Sequence, residues 1–454
     1  MPEEKYMLRA IELAEKGRGW TNPNPKVGAV IVKNGRIIGE GWHHMYGQLH
    51  AERDALKNVS EDPIGATIYV TLEPCCHHGK QPPCTEALIE AGIARVVIGS
   101  RDPNPKVAGG GVKALREAGI DVIVDYMREA CDVINDVFFH FITTRTPFVT
   151  MKYAMTVDGH IATETGKSKW ISGELSQREV HRMRHNHMAI MAGIGTVLAD
   201  DPLLNCRALV RGHEEEDALV NGKNPRRIIL DDYLKIPLES QLVQTACEQP
   251  LIVATLHEPE NIESTNEFSY IDMTVGEEHA KAKYIEEKQI KENFLMEKGA
   301  RILHIPVDEE TGCLDLNILM RELGKLQIDS ILLEGGGMVN ASAIRSKIVS
   351  EIDVFMAPKI FGGGKSPVAS LGIDEPSQTP VLYMKECRQV GDDLLIRYGV
   401  RKVEDVSDKE DEPNNKEDIP NGKEYVLNNK EDIPNGKECV PNNKVIVRNN
   451  MGGD

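Results

Sequence analysis

The chain has 454 residues, of which 41% are hydrophobic, so it is long enough to form two domains with buried cores. A formal net charge of −18 opposes nucleic-acid binding, which usually requires a basic surface, and the sequence has no apolar run long enough to span a membrane. The nine cysteines are scattered and odd in number, which argues against a disulfide framework and favours a reducing cytoplasm as the compartment.

Alternating helix and strand patterns over residues 1–145 predict one α/β domain with helices covering a sheet. A helix near residues 3–16 comes first, and Asn34-Gly35 then joins strands at Val27–Val32 and Arg36–Gly41 as a hairpin. In chain order, the further predictions are a helix at Ala51–Asn58, a strand at Thr67–Leu72, a helix at Cys84–Ala91, a strand at Ala94–Ser100, a helix at Gly111–Ala118, a strand at Ile120–Val124 and a long helix at Met127–Phe141.

Residues 146–403 predict a second α/β domain. A helix is expected at Glu174–His187, and the polar stretch Glu258–Glu297 is expected to form a solvated loop and helix. The predicted strands are Phe148–Ala154, Gly159–Ala162, Met188–Ala192, Arg227–Leu230, Leu251–Thr255, Arg301–Ile305, Ser330–Leu333, Ile352–Ala357 and Leu394–Val400.

The composition changes in the tail at residues 404–454. A segment that begins at Asn414 recurs at Asn428 with a period of 14 residues, and a third copy decays after Asn442. The repeats contain few apolar residues, so they cannot bury enough surface to offset the entropy of ordering. The composition favours disorder over a solenoid.

A His-Ala-Glu triplet and two Pro-Cys pairs form the strongest chemical motif. His50 and Glu52 open a predicted helix, Cys75 follows a predicted strand, and Cys84 begins another helix. Imidazole and thiolate ligands suit Zn²⁺, and three protein ligands leave a fourth position open to water. Zinc lowers the pKa of such a water to about 7, and Glu52 can carry protons without binding the metal. This is the pattern of zinc-dependent base deaminases.

Other readings of the motif stay open from the residues alone. Cys76, His77 or His78 could supply a fourth ligand and make the site structural, and Cys76 could replace Cys75. The chain could also be a nucleobase or tRNA deaminase with an unrelated second domain, or a non-catalytic binding module stabilised by zinc. Glu52 favours catalysis, because a structural site has no use for a proton carrier beside the metal.

Eight residues separate Cys75 from Cys84, whereas cytidine and tRNA adenosine deaminases usually have a much shorter spacer. The longer form resembles the deaminase of riboflavin biosynthesis. Further segments are similar to the dihydrofolate-reductase-like reductase that is fused to that deaminase: Met151–Gly159, Lys169–Ser172, Ala192–Thr196, Asp200–Pro202 and Leu333–Gly337. Over about residues 3–402, the chain therefore resembles the bifunctional riboflavin-biosynthesis deaminase–reductases.

This resemblance implies a cytidine-deaminase-like three-layer α/β/α domain followed by a dihydrofolate-reductase-like α/β domain. It implies hydrolytic deamination of 2,5-diamino-6-ribosylamino-4(3H)-pyrimidinone 5′-phosphate, and then NADPH-dependent reduction to 5-amino-6-ribitylamino-uracil 5′-phosphate. The implied cofactors are one Zn²⁺ per deaminase domain and NADPH. The expected partner is the small pyrimidine nucleotide, without nucleic acid or membrane, and a homo-oligomer is expected.

The resemblance also implies roles for individual residues. The zinc ligands are His50, Cys75 and Cys84, and the catalytic residues are Glu52 and Lys152. Substrate contacts are expected from Asn24, His43, His77, Lys80, Asp102 and Asn104 in the first domain and from Ser168, Leu204, Arg207 and Glu334 in the second. NADPH contacts are expected from Ala154, Trp170, Thr196, Asp200, Gly336, Gly337, Met338, Val339, Asn340, Ala341 and Ser342.

Several of these residues have a plainer explanation. Asn24 suits a turn as well as a substrate contact, the glycines from Gly335 to Gly337 suit an ordinary turn as well as a phosphate cradle, and Trp170 could pack in the core.

The chain also departs from the family in three places. Asp232 adds a carboxylate that could repel a cofactor phosphate, the Glu258–Glu297 stretch is longer than usual, and the tail has no counterpart.

Overall fold

Two β-sheets, formed by successive stretches of the chain, organise the protein. The computed structural model describes residues 1–79, 81–207, 224–257 and 277–401. The predictions for Lys80, for the tail at 404–454 and for the loop part of Glu258–Glu297 lie outside the described residues. None of the described helices combines the length and apolar character that a membrane crossing requires.

The first sheet has five strands in the order β2-β1-β3-β4-β5. Strand β1 pairs antiparallel with β2 and β3, and β3, β4 and β5 are parallel. The strands are β1 (Gly28–Lys33), β2 (Arg36–Trp42), β3 (Thr67–Leu72), β4 (Arg95–Ser100) and β5 (Asp121–Ile123). The helices are α1 (Glu4–Glu15), α2 (Ala51–Lys57), α3 (Cys84–Glu90), α4 (Gly110–Glu117), α5 (Arg128–Val133) and α6 (Asp136–Thr144).

Alternation along β1 explains why this sheet is covered on both faces. Ala29 and Ile31 belong to one buried cluster with residues of α2, α3 and α4, whereas Val30 and Val32 belong to another with residues of α1 and α5. Successive strand residues point to opposite faces, so an apolar run buries both. The three-layer α/β/α arrangement follows, and the predicted hairpin is confirmed, with φ of 51° at Asn34 and 73° at Gly35.

The single long helix predicted at Met127–Phe141 is wrong. The segment forms α5 and α6, which are separated at Asn135. The Asn135 side chain accepts a hydrogen bond from the Lys26 amide and donates one to the Lys26 carbonyl, both at 2.9 Å. This pairing with a distant backbone segment holds Asn135 at a φ of −123°, outside the helical range, and thereby ends the first helix.

In the part of the chain that the structure describes, the second sheet has nine strands in the order β10-β9-β8-β7-β11-β6-β12-β14-β13. All adjacent pairs from β10 to β12 are parallel, and β14 and β13 complete the sheet in antiparallel pairing. The strands are β6 (Phe148–Thr156), β7 (Ala189–Gly193), β8 (Arg226–Leu230), β9 (Leu251–Leu256), β10 (Arg301–Ile305), β11 (Ser330–Leu333), β12 (Val349–Ala357), β13 (Leu382–Val390) and β14 (Asp393–Val400). The helices are α7 (Glu174–Asn186), α8 (Ile194–Asp200), α9 (Gln241–Gln244), α10 (Glu277–Glu297), α11 (Leu316–Lys325) and α12 (Gly337–Arg345), and a 3-10 turn lies at Pro376–Gln378.

The strand predicted at Gly159–Ala162 is wrong. Gly159 has a φ of 82° and its amide donates to the Thr156 carbonyl at 2.9 Å, so the chain turns directly after β6. Only Ala162 pairs, in an isolated bridge with Lys365. Strand β13 was not predicted; most of its residues are exposed, which removes the apolar alternation by which strands are recognised.

Candidate active sites

Two helix N-termini and the end of a strand bring the predicted zinc ligands together. His50 immediately precedes α2, Cys84 is the first residue of α3, and Cys75 follows β3. His50 Nδ1 lies 3.5 Å from Cys75 Sγ and 3.4 Å from Cys84 Sγ. The three ligand atoms all lie within 4.8 Å of one another. One imidazole and two thiolates at this spacing fit tetrahedral Zn²⁺ with one position left open.

The neighbouring polar residues do not join this cluster. The Cys76 thiol lies 3.9 Å from the Lys106 carbonyl, and His78 pairs with Glu86 at 3.4 Å. His50, Cys75 and Cys84 are the only such group found within the described residues. The geometry therefore favours Cys75 over Cys76 and a three-ligand site over a closed structural one.

Glu52 lies in the first turn of α2 and is 3% exposed. Burial raises the pKa of its carboxyl group, and the negative charge of Cys75 raises it further. A carboxyl group with a raised pKa exchanges protons more readily near neutral pH than an ordinary surface glutamate. Glu52 therefore has the placement and proton affinity of a general acid–base.

A cavity of about 250 Å³ opens in front of the cluster. The predicted substrate residues that line it are Asn24, His43, His77, Asp102 and Asn104, together with His50, Glu52 and Cys75. His43 Nδ1 lies 2.9 Å from the Leu49 carbonyl and its Nε2 lies 3.3 Å from Asn24 Nδ2. Burial lowers the pKa of His43, so a neutral ring can donate to Leu49 and accept from Asn24.

Two charged residues that sequence reasoning missed lie at or near this cavity: Glu73 lines it, and Arg53 holds a neighbouring segment. Arg53 donates to the carbonyls of Pro82 and Pro83, at 3.2 and 2.8 Å, and so fixes the approach to Cys84. Glu73, which is 4% exposed, accepts from the amides of Gly109 and Val112 at the start of α4. The run Leu72-Glu73 was a usable signal, because an acidic residue directly after a buried strand usually has a partner.

A second polar cluster lies where parallel strands of the larger sheet end. Glu334 follows β11, and Arg184 of α7 donates to its two carboxylate oxygens at 2.6 and 3.0 Å. Lys152 Nζ of β6 lies 3.5 Å from the same carboxylate. Burial opposes ionisation of Glu334, but Arg184 and Lys152 outweigh it and lower the pKa to about 2. Lys152 and Glu334 were predicted; Arg184 was not, because nothing in its local sequence marks it.

Residues 336–342, which were predicted to contact NADPH, form the start of helix α12 beside this cluster. Helix α12 begins at Gly337, and a Cβ atom there would lie 2.8 Å from the Ser366 carbonyl. A Cβ atom at Gly193 would lie 2.6 Å from Val339, whereas Gly336 has open space around it. Helix N-termini favour anions, and the space at Gly336 lets one approach the backbone. Asn340 and Ala341 are buried, and the Asn340 amide donates to the Gly336 carbonyl at 3.1 Å, so neither residue is placed to contact a ligand directly.

The other predicted reductase residues are spread over neighbouring loops. Trp170 is 69% exposed, so the alternative that it packs in the core is wrong. Lys169 pairs with Asp200 at 3.5 Å, and the Arg207 amide donates to His181 Nδ1 at 3.1 Å. Ser168, Ala154, Thr196, Met338 and Ser342 are exposed or half-buried, whereas Leu204 is buried.

Fold and site together define a two-domain enzyme, a zinc-binding deaminase domain followed by a reductase domain. Residues 1–100 match the cytidine and deoxycytidylate deaminase zinc-binding region, and residues 147–396 match the RibD C-terminal domain. The chain belongs to the RibD family, whose members are bifunctional deaminase–reductases of riboflavin biosynthesis.

Relatives match across both domains. The riboflavin biosynthesis protein RibD of Actinobacillus pleuropneumoniae is 44% identical over 88% of this chain and 96% of its own length. That of Escherichia coli is 38% identical over 87% of this chain and 99% of its own. The solved structure of Acinetobacter baumannii RibD superposes with a TM-score of 0.72 at 31% identity and covers 88% of this chain and 98% of that one. The zinc-binding and reductase domains indicate zinc and a nicotinamide cofactor.

Proposed function

We propose that the first domain deaminates 2,5-diamino-6-ribosylamino-4(3H)-pyrimidinone 5′-phosphate and that the second reduces the product with NADPH. The proposed end product is 5-amino-6-ribitylamino-uracil 5′-phosphate. The observation that carries the proposal is the cluster of His50, Cys75 and Cys84 with buried Glu52 in one cavity. A solved relative from Thermotoga maritima, 35% identical, is described as the corresponding deaminase and 5-amino-6-(5-phosphoribosylamino)uracil reductase.

In the deaminase site, one Zn²⁺ held by His50, Cys75 and Cys84 would supply an activated water. Glu52 takes a proton from the attacking water and passes it to the ring nitrogen. It then takes the remaining proton of the added hydroxyl group and delivers it to the departing amine, which leaves as ammonia as the carbonyl forms. The Asn24–His43 pair, His77, Asp102 and Asn104 line the space that the pyrimidine would occupy. Within the described residues, His77 Nδ1 is buried without a hydrogen-bond partner, which makes it available to the substrate.

In the reductase site, NADPH would supply the hydride when bound. Lys152 is held 3.5 Å from Glu334 and can deliver the proton that the reduced sugar requires. Backbone amides at the start of α12 suit the cofactor phosphates, and Arg207 suits the substrate phosphate because guanidinium binds it bidentately. The free cysteines of the described chain fit a cytoplasmic location for both steps.

The preference for NADPH over NADH depends on the surroundings of Asp232. The side chain of the neighbouring Asp231 stabilises its own loop. It accepts hydrogen bonds from the amides of Lys235 and Ile236, both at 2.7 Å. Asp232 is the carboxylate that a 2′-phosphate would have to avoid, so the two cofactors should be compared directly at this enzyme.

A stepwise assay with two variants tests the proposal. Wild-type enzyme is given the diaminopyrimidine phosphate, ammonia is measured, and NADPH or NADH is then added. Glu52→Gln should lose about 10²–10⁴-fold of deaminase activity while it retains zinc and reductase activity. Lys152→Met, which keeps an unbranched side chain but removes the ammonium group, should lose reduction and retain deamination.

Each variant serves as the control for the other. Ammonia release from cytidine or tRNA alone would refute the proposed substrate. Full deamination by Glu52→Gln would refute the role of Glu52, and equal loss of both activities in Lys152→Met would refute separate sites.

A further inference from the structure

We propose that Asp329, in the reductase domain, is a positioning residue for the deaminase reaction. It acts through Asn22 on the turn that carries Asn24. The reductase domain thereby completes the deaminase cavity. This inference rests on the proposed function and adds a structural dependence of one active site on the other domain.

The turn concerned is formed by residues 21–24. The Asn24 amide donates to the Thr21 carbonyl at 2.8 Å, which closes the turn around Asn22 and Pro23. Asn24 lines the cavity, and its side-chain amide lies 3.3 Å from His43 Nε2. A displacement of Asn22 therefore displaces Asn24, because only one residue separates them within a closed turn.

Asn22 is held from the other domain. Its Nδ2 donates to Asp329 Oδ2 at 2.7 Å, across 307 positions of sequence. Asp329 is 1% exposed, directly precedes β11, and its carbonyl accepts from the Phe148 amide at the start of β6 at 2.7 Å. The acceptor is thus a buried carboxyl group fixed between two central strands. Loss of a buried hydrogen-bond partner is costly, because the remaining group is left unsatisfied.

The same segment touches the reductase domain at a second point. The Trp20 ring lies 5.0 Å from the ring of His185 on α7, edge to face. A Cβ atom at Gly19 would lie 2.5 Å from His185 Cδ2, so the chain passes directly over this residue. The Trp20 carbonyl also accepts from the amide of Tyr46, another residue of the cavity wall, at 3.1 Å. The segment is therefore held directly before the turn as well as at Asn22.

A third contact reaches the part of the cavity wall that α6 forms. Lys385 of β13 donates to Asp136 at 2.6 Å, and Asp136 begins α6, which contributes Phe138 to the cavity. Burial opposes the charged form of Lys385, but Glu351 and Asp136 outweigh it and raise its pKa. Two walls of the deaminase cavity are thus fixed by residues of the reductase domain.

A charge-swap experiment on the full chain tests the role of Asp329. Asn22→Asp places two carboxylates at a 2.7 Å contact and should raise the deaminase KM by roughly tenfold or more, because small misplacements of binding groups are costly. In the double variant Asn22→Asp/Asp329→Asn, the new amide at position 329 can donate to the new carboxylate. Deaminase KM should then return to within about threefold of wild type, because the double variant restores one hydrogen bond between these two positions.

Controls separate positioning from general damage. Reductase activity, assayed with the deaminated substrate, and zinc content should be unchanged in both variants, which shows that the chain has folded. Asn317→Asp makes the same change on an exposed residue of the reductase domain and should alter neither activity. If Asn22→Asp does not fold, Asn22→Ala tests the loss of the hydrogen bond alone, again by deaminase KM.

A wild-type deaminase KM in Asn22→Asp, or a double variant no better than the single one, would overturn the inference and leave the proposed function intact. Absence of ammonia release by the wild-type enzyme would instead overturn the proposed function, and this inference with it.

Discussion

Burial acts on the acidic groups of both sites, but their neighbours decide the outcome. Glu52 has no cationic side chain that outweighs burial, so its pKa is raised. Glu334 is also buried, but Arg184 and Lys152 hold its pKa at about 2. One carboxyl group is therefore suited to proton transfer, whereas the other is a permanent anion that orients cations.

His181 provides a pH test of the reductase cluster. Burial, together with the positive charges of Arg184 and Arg207, lowers the pKa of His181 from 6.5 to about 4. A histidine with a depressed folded pKa contributes stability above its unfolded pKa, and this contribution is lost as pH falls towards the folded value. Wild-type protein should therefore lose about 1–2 kcal/mol relative to His181→Asn between pH 7 and pH 5.

Urea denaturation of both proteins at several pH values measures this difference. Asparagine keeps an acceptor near the position of Nδ1, which takes the Arg207 amide at 3.1 Å, so the two proteins should be similarly stable at pH 7. A stability difference that does not change with pH would show that His181 keeps its ordinary pKa.

At the scale of elements, the close approach of α2 to the hairpin places one predicted zinc ligand, His50, together with Glu52. A Cβ atom at Gly41 of β2 would lie 2.2 Å from the Ala55 amide nitrogen and 2.5 Å from the Ala51 carbonyl. Helix and strand backbones are therefore in direct contact, which only glycine permits. Since His50 and Glu52 lie at the start of this helix, its position sets theirs.

Gly41→Ala should push α2 away from the sheet, destabilise the protein by about 1–3 kcal/mol and lower zinc affinity and deaminase activity together. Thermal unfolding and metal analysis measure both effects. Gly195→Ala is the control, because a Cβ atom there meets nothing within 4 Å, and it should retain zinc and deamination. Normal zinc affinity in Gly41→Ala would show that the ligands do not depend on this contact.

Local patterns located His50, Cys75 and Cys84, which the structure brings within 4.8 Å of one another, because these residues lie at the ends of strongly patterned elements; their role as zinc ligands stays a prediction. The hairpin at Asn34-Gly35 and the buried parallel strands were predictable for the same reason. Asn135 was not, because its helix-ending role depends on Lys26, which is 109 positions away. Arg184 and Asp329 were missed likewise: each has its partner in another element, 150 and 307 positions away.

At the scale of the whole molecule, each of the two domains carries its own proposed site, but the deaminase cavity is held in part by residues of the reductase domain. The deaminase cluster and the Lys152–Glu334–Arg184 cluster use different residues, so chemistry at either can be removed separately. The Asn22–Asp329 contact, by contrast, couples the shape of one cavity to the other domain. The zinc ligand set, the domain limits near residue 145, the homo-oligomer and the choice of NADPH stay predictions.

The segment after Arg401 is expected to be dispensable for both activities. The RibD C-terminal match ends at residue 396, and the Actinobacillus pleuropneumoniae relative is covered to 96% of its own length by 88% of this chain. Every residue assigned here to either site precedes residue 343, and the repeats have too little apolar content to add a core. A chain that ends at Lys402 should therefore retain both activities within about twofold, an energetic difference well below 1.4 kcal/mol. Parallel assays of ammonia release and NADPH oxidation measure this, and a tenfold loss of either would assign the repeats a part in catalysis.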